Sequence, residues 1–323
     1  MEFSLDEGQV ELQETVARFC TDHFPLDAVV SREGCATDRS TWSGMAALGI
    51  FGLLLGDDSG LGTVEAALLF EQLGSHLAPG PVLWTALAAP FVDGAVTGEQ
   101  LVGGVQAVDV VDGVALVEHA AELDLVLVVD ETGVVAHQVA DLLVEPVEAL
   151  DPLTPVGRVS GLVGGAVVGD DAAELVLAGT VLTAAMLAGV ASRALTVARD
   201  YALEREQFGT PIGSFQAVKH LLADMYVRSG LAQSATYAAA AVVQDPGHDD
   251  PMRAAAAAKS LASDAAIANA STAIQVLGGM GFTWEMLPNH LLKRAWVLEH
   301  SFGTADDHAQ RLGSALVAAA KGS

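Results

Sequence analysis

Two stretches of this chain carry residues whose types and spacing suit a phosphate-bearing aromatic ligand. The first runs Arg205-Glu206-Gln207-Phe208-Gly209-Thr210-Pro211, then Ile212-Gly213-Ser214-Phe215-Gln216. A guanidinium at Arg205 is a natural charge partner for a phosphate. Gln207 and Gln216 add amides, and Phe208 adds a ring. The second stretch is Gln275-Val276-Leu277-Gly278-Gly279-Met280-Gly281-Phe282. Gly278 and Gly279 lack a Cβ, so a ligand can come close to the main chain there. Both stretches also read as helix punctuation. Gly209 would end a long helix, Pro211 would block its resumption, and Ser214 would cap the next. A Gly-Gly pair is likewise a common helix stop. Residue types alone leave both readings open.

The charge balance sharpens the question. The 323 residues hold 15 Lys and Arg against 41 Asp and Glu, a formal net charge of −26. Such a surface does not suit nucleic acid or an anionic membrane, so each cation is informative. Apolar runs such as Ala46 to Leu55 are too short to span a bilayer, and no transmembrane helix is expected. The start, Met-Glu-Phe-Ser-Leu-Asp-Glu, has no basic n-region and no apolar h-region. The expected location is therefore the cytoplasm. Cys20 and Cys35 are too few for a disulfide framework, and both are expected as buried small side chains. His290, His300 and His308 are too widely spaced for a metal motif, so no metal is expected.

The elements that must position these stretches fall into three textures, which define three expected domains. Residues 1–97 read as helices: Leu5, Gln9, Leu12, Val16 and Phe19 share one face at helical spacing, and Trp42, Met45, Leu48 and Phe51 share another. A third helix is expected from Val64 to about Leu77. Residues 98–168 have strand texture, in the runs Val108–Val111, Ala115–Val117, Leu125–Val129 and Val134–Ala136. A small antiparallel sheet or barrel is expected there. Residues 169–323 turn helical and alanine-rich, with helices expected over 172–206, 214–244, 251–277, 285–300 and beyond 304, packed as a bundle. The class is α+β, mostly α.

Together the two stretches resemble the C-terminal domain of the acyl-CoA dehydrogenase family. The shared pattern is Arg-x-x-Phe-Gly, then Ile-x-x-Phe-Gln-x-x-x-His-x-x-Ala-Asp-Met through Met225, then Gln-x-x-Gly-Gly-x-Gly-Phe. Phe3-Ser4-Leu5-Asp6-Glu7, Gly60-Leu61-Gly62 and Glu71-Gln72-Leu73-Gly74 agree with the family's N-terminal region. The resemblance covers the chain except the β region. It implies an N-terminal helical domain, a β domain and a C-terminal four-helix bundle. It also implies FAD as cofactor, α,β-dehydrogenation of an acyl-CoA, and electron transfer to an electron-transferring flavoprotein. In the family, each FAD lies across a subunit interface. Carried over to matching positions, Arg205, Gln207, Phe208, Gln216, Gln275, Gly278 and Gly279 would be lent to the pyrophosphate and adenosine end of a neighbour's cofactor.

The same resemblance breaks at the chemistry. The family's Tyr-Glu-Gly-Thr is Ser301-Phe302-Gly303-Thr304 here. A phenyl ring cannot accept the α-proton. Relatives that carry the base on the preceding helix would place it near Gly179, again not an acid. The β region lacks the family's Thr-Glu-Pro-x-Ala-Gly-Ser-Asp stretch, and no Trp lies between Trp84 and Trp284. The resulting expectation is no catalytic residue in this chain and a homologous catalytic subunit as partner. An α2β2 assembly of this kind is expected, as in actinobacterial enzymes for steroid side-chain CoA esters. Two alternatives stand: a self-sufficient homo-oligomer using Glu299 or Asp306 as base, and a scaffold that binds no FAD.

Overall fold

The computed structural model describes residues 5–56, 61–130, 132–247 and 249–322, the last five without side chains. Phe3, Ser4 and Gly60 of the N-terminal resemblance lie outside them. The chain divides into two compact units, one of residues 1–30, 67–78 and 180–323, the other of residues 31–66 and 79–179.

The first unit opens with helix α1 (Glu7–His23), started by a capping box between Asp6 and Gln9. Val16 and Cys20 form its buried face. It includes most of α3 (Thr63–Ser75) and of the 32-residue α6 (Ala173–Glu204). These two helices cross closely. A Cβ on Gly74 would lie 2.2 Å from the Met186 carbonyl, and one on Gly189 would lie 2.0 Å from the Glu71 carbonyl. Only glycine permits that approach. α6 is long and apolar enough to cross a membrane by length and composition, but 83% of its most apolar window is buried, as in a core helix.

Helices α7 (Gln216–Gln244) and α8 (Pro251–Leu277) follow α6 as an antiparallel pair. Asn269, fully buried, fixes the bundle at its centre. Its amide donates to the carbonyls of Ala191 and Met225 and to Ser229 Oγ, at 3.2, 3.0 and 2.9 Å. Its oxygen accepts from Arg228 Nε at 2.8 Å. α9 (Leu287–His300) and α10 (Ala305–Gly322) complete the unit. The five expected C-terminal helices are thus present, with ends shifted by a residue or two.

The second unit holds α2 (Arg39–Ala47), α4 (Val82–Ala88), α5 (Asp93–Val96) and seven strands. These are β1 (Val102–Gln106), β2 (Val114–Glu118), β3 (Leu125–Asp130), β4 (Gly133–Gln138), β5 (Leu143–Val147), β6 (Val156–Ser160) and β7 (Ala166–Gly169). They form two sheets, ordered β1-β3-β4-β7 and β2-β6-β5. The expected antiparallel arrangement needs correction, because β1 pairs with β3 in parallel. Val108–Val111 is not a strand: Ala107–Asp109 is a 3-10 turn, and Val108 and Val111 stand exposed. Thr85 locks α4 to β1, its hydroxyl bonded to both the N–H and C=O of Val102 at 3.1 Å. Trp42 and Phe51 stack at 4.6 Å in the core. Of the two free cysteines, Cys20 is buried as expected and Cys35 is exposed, a correction that follows from its place in a surface turn.

Candidate functional site

The expected cofactor-binding residues and Phe302 belong to the first unit, whereas Gly179 falls in the second. α6 ends at Glu204 rather than at Gly209. Beyond it the chain makes a tight hairpin, β8 (Glu206–Gln207) paired with β9 (Thr210–Pro211). Phe208 and Gly209 form the two-residue turn, with φ of 56° and 81°. Two left-handed central residues are the geometry of a primed hairpin turn. Phe at the first of them costs about 1–2 kcal/mol relative to a right-handed conformation. Phe208 is 93% exposed there, edge-on to Phe215 at 6.2 Å between centroids. Ser214 is not the cap of α7. Phe215 occupies that position without a side-chain cap, and the Ser214 hydroxyl instead bonds Thr210 Oγ1 at 2.8 Å.

The second stretch ends α8. Gly278 takes φ 63° and ψ −140°, a conformation closed to residues with a Cβ. A Cβ built on Gly278 or Gly279 would meet nothing within 4 Å, so the main chain faces open space. The antiparallel packing of α7 and α8 brings the two stretches to one end of the bundle. With Arg228 bonded to Asn269 midway along the pair, Gln216 starts α7 at the end where Leu277 finishes α8. Arg205, Gln216 and Gln275 are exposed, and their side chains have no hydrogen-bond partner among the described residues. The Gln207 amide donates to the Glu206 carbonyl at 2.8 Å. A free guanidinium, free amides and an open glycine cradle fit the anionic end of FAD.

Phe302 lies elsewhere in the unit, in the turn between α9 and α10. It is 3% exposed and has φ 59°. The turn is held from three sides. Lys259 Nζ, fully buried on α8, donates to the carbonyls of Glu299 and Gly303 at 2.8 and 2.7 Å. His308 Nε2 donates to the Phe302 carbonyl at 2.9 Å. Asp307 accepts from the N–H and hydroxyl of Thr304. Burial lowers the Lys259 pKa to about 8 against the pull of Glu299 and Asp307, and burial lowers that of His308 to about 4. The alternative acids are already committed or remote. Glu299 accepts from the Ala305 N–H at 3.0 Å and pairs with His300 at 3.3 Å, and Asp306 stands in solvent on α10.

Sequence reasoning missed Lys259, the cation that follows the alanine run Ala254–Ala258 and lies fully buried, whereas Arg253 before the run is exposed. It also missed the role of Glu71. That buried carboxylate accepts from the Gln233 amide at 2.8 Å and from the Tyr237 hydroxyl.

The comparisons with known proteins agree with this architecture. Residues 6–101 match the acyl-CoA dehydrogenase N-terminal domain, and residues 172–317 match its C-terminal domain. The chain belongs to the acyl-CoA dehydrogenase family. It is 34% identical over 315 residues to acyl-CoA dehydrogenase IpdE2 of Mycobacterium tuberculosis, covering 88% of this chain and 89% of that one. It is 37% identical over 279 residues to acyl-CoA dehydrogenase FadE34 of the same organism, but those residues span 39% of that longer protein. Among solved structures it superposes on a variant of the Tcur3481–Tcur3483 steroid ACAD with a TM-score of 0.84 at 25% identity, covering 98% and 99% of the two chains. The ChsE4–ChsE5 complex of Mycobacterium tuberculosis gives the same TM-score at 24% identity, a likeness of fold. The family is one of FAD-dependent oxidoreductases acting on acyl-CoA, with the α+β, mostly α fold expected from sequence.

Proposed function

We propose that this chain is the base-less subunit of a heteromeric, FAD-dependent acyl-CoA dehydrogenase, whose homologous partner supplies the catalytic glutamate. One observation carries the reading. The position where the family pattern has its acid holds Phe302, turned inward in a turn clamped by Lys259 and His308. Removing an α-proton needs a base within hydrogen-bond reach of it. Neither Phe302 nor the committed Glu299 offers one.

What this chain contributes instead is a holding surface. Arg205 would pair with the pyrophosphate charge, and Gln207, Gln216 and Gln275 would orient the polar edge of the nucleotide. Phe208 would offer a ring face, and Gly278 and Gly279 would let the cofactor approach the main chain. FAD, when bound, accepts the hydride from the β-carbon of the acyl group. The exposed Phe208, Tyr226, Phe282 and Trp284 suit burial by a partner subunit. The likeness to a steroid ACAD built from two named chains supports a steroid side-chain CoA ester as the acyl substrate and α2β2 as the assembly. An electron-transferring flavoprotein is the fitting electron acceptor.

Co-expression with and without the partner subunit tests this. The chain alone should carry little FAD and reduce none with acyl-CoA, while the complex is yellow, active and of α2β2 native mass. A yellow, active preparation of the chain alone overturns the proposal.

A further inference from the structure

Arg193 stands apart from every residue used above. It lies on α6 inside the first unit, partly buried, and no carboxylate among the described residues lies within ion-pair distance of it. Its Nε donates to the Ser75 carbonyl at 3.0 Å, and its Nη2 donates to His76 Nε2 at 3.1 Å. His76 Nδ1 in turn reaches the Gln72 carbonyl and Ser75 Oγ, both at 2.9 Å. Those bonds fit the neutral imidazole with its proton on Nδ1, so Nε2 accepts. Both partners of the guanidinium are therefore uncharged. They occupy only one edge of the fork, that formed by Nε and Nη2. The end edge, Nη1 with the second Nη2 hydrogen, has no partner among the described residues.

A cavity of about 130 Å³ opens at this point, lined by Glu71, Gln72, Ser75, Ser192, Arg193 and Thr196. Two further donors in its wall are unspent, since the Gln72 amide and the Ser192 hydroxyl have no partner among the described residues. One acid, Glu71, is in the wall. Its two oxygens accept from Gln233 and Tyr237, and burial raises its pKa, against the effect of those two bonds. It is turned to α7 and not to Arg193. Asp200 acts on Arg193 only from beyond ion-pair distance, its carboxylate bonded to Arg199 Nε at 2.8 Å. A partly buried guanidinium with no carboxylate in contact is costly, and a bound anion relieves that cost. The free edge has the fixed spacing that a planar carboxylate matches with two parallel N–H···O bonds.

We infer that the first unit binds a small carboxylate, of acetate or propionate size, between α3 and α6, with Arg193 as its anchor. The cavity has room for a few water-sized groups, which suits an acid of this size. Gln72 and Ser192 add single hydrogen bonds that orient it. The inference is independent of the FAD surface and of Phe302.

Thermal unfolding of the full chain in sodium acetate against sodium chloride at matched ionic strength, with calorimetric titration of acetate, tests the site. A third arm uses inorganic phosphate. Acetate should raise the unfolding temperature saturably, and phosphate should raise it less. Arg193→Gln should weaken acetate binding tenfold or more, the loss expected for charge-assisted bonds. Ser192→Leu, which fills the cavity and leaves the Arg193 bonds to Ser75 and His76 in place, should abolish the acetate effect at unchanged helix content. If Arg193→Gln does not fold, Ser192→Leu alone decides. Equal shifts in acetate and chloride, or an acetate shift that survives Ser192→Leu, overturn the site. A phosphate effect as large as that of acetate overturns its assignment to carboxylates.

Discussion

Lys259 Nζ, on α8, lies 2.7 Å from the carbonyl oxygen of Gly303 in the turn between α9 and α10, and no carboxylate among the described residues is in ion-pair contact with it. A buried ammonium here is spent on main-chain carbonyls, and its task is to hold the turn that carries Phe302. Lys259→Met removes the donor and leaves the Glu299 and Gly303 carbonyls unsatisfied. Urea unfolding at pH 7 should show a loss of about 1–3 kcal/mol. The pH dependence has a definite sign. Burial lowers the folded pKa of Lys259 to about 8, below its unfolded value of about 10.4. Between those values the unfolded chain binds more protons, so this group's contribution to stability rises with pH. The gap between parent and Lys259→Met should therefore widen from pH 8 towards 10, by up to about 1.4 kcal/mol per unit.

Phe302→Glu should not create a dehydrogenase. The side chain is 3% exposed, so a carboxylate placed there is desolvated and pushed towards its neutral form. On the proposed reading it also faces no flavin held by this chain. Stopped-flow flavin reduction by acyl-CoA should stay at the parent level, alone and with partner, and stability should fall by about 2 kcal/mol or more. Rapid flavin reduction by the isolated variant would show an intact site lacking only its acid.

Arg205→Ala should weaken FAD retention in the complex by about tenfold or more, since charge-assisted bonds to phosphate are worth about 1.5–3 kcal/mol. The side chain is exposed and makes no bond among the described residues, so the unfolding midpoint should not move. Gln275→Ala should act in the same direction but less. Gly279→Val has open space for its methyls within this chain, so any loss of flavin it causes reports on what approaches from outside. Flavin content after dialysis measures all three.

Gly189→Ala should be among the most damaging small substitutions. The added Cβ meets the Glu71 carbonyl at 2.0 Å, backbone against backbone, with no side chain to move aside. A loss of about 3 kcal/mol is expected, read as a fall of several degrees in unfolding temperature. The same change at Gly209 should cost less, because its Cβ would meet nothing within 4 Å.

The helical part of the fold was legible because its signals are local. Asp250 and Pro251 start α8 and Gly278 ends it, as cap chemistry requires. The β region was harder. The parallel β1–β3 pairing joins segments twenty-odd residues apart in sequence, and no local period encodes which strand lies beside which. Ser214 has the composition of a cap, but its hydroxyl is taken by Thr210 across the hairpin. At the site, the residue types at Arg205, Gln275 and Gly278 were readable. That Phe302 points inward was not, because the reason lies in Lys259 and His308, 43 residues upstream and 6 downstream.

The hairpin tip at Phe208 bears on how the chain behaves in solution. A phenyl ring lifted almost wholly into water, on a turn too short to fold it back, is adhesive to any apolar surface it meets. What keeps copies apart is their shared charge of −26. That repulsion reaches about 10 Å at 0.1 M salt and about 3 Å at 1 M. The unpaired chain should accordingly be a colloid stabilised by low salt. Handling it in the concentrated salt often chosen for soluble acidic proteins should shorten its lifetime in solution, and Phe208→Ser should lengthen it.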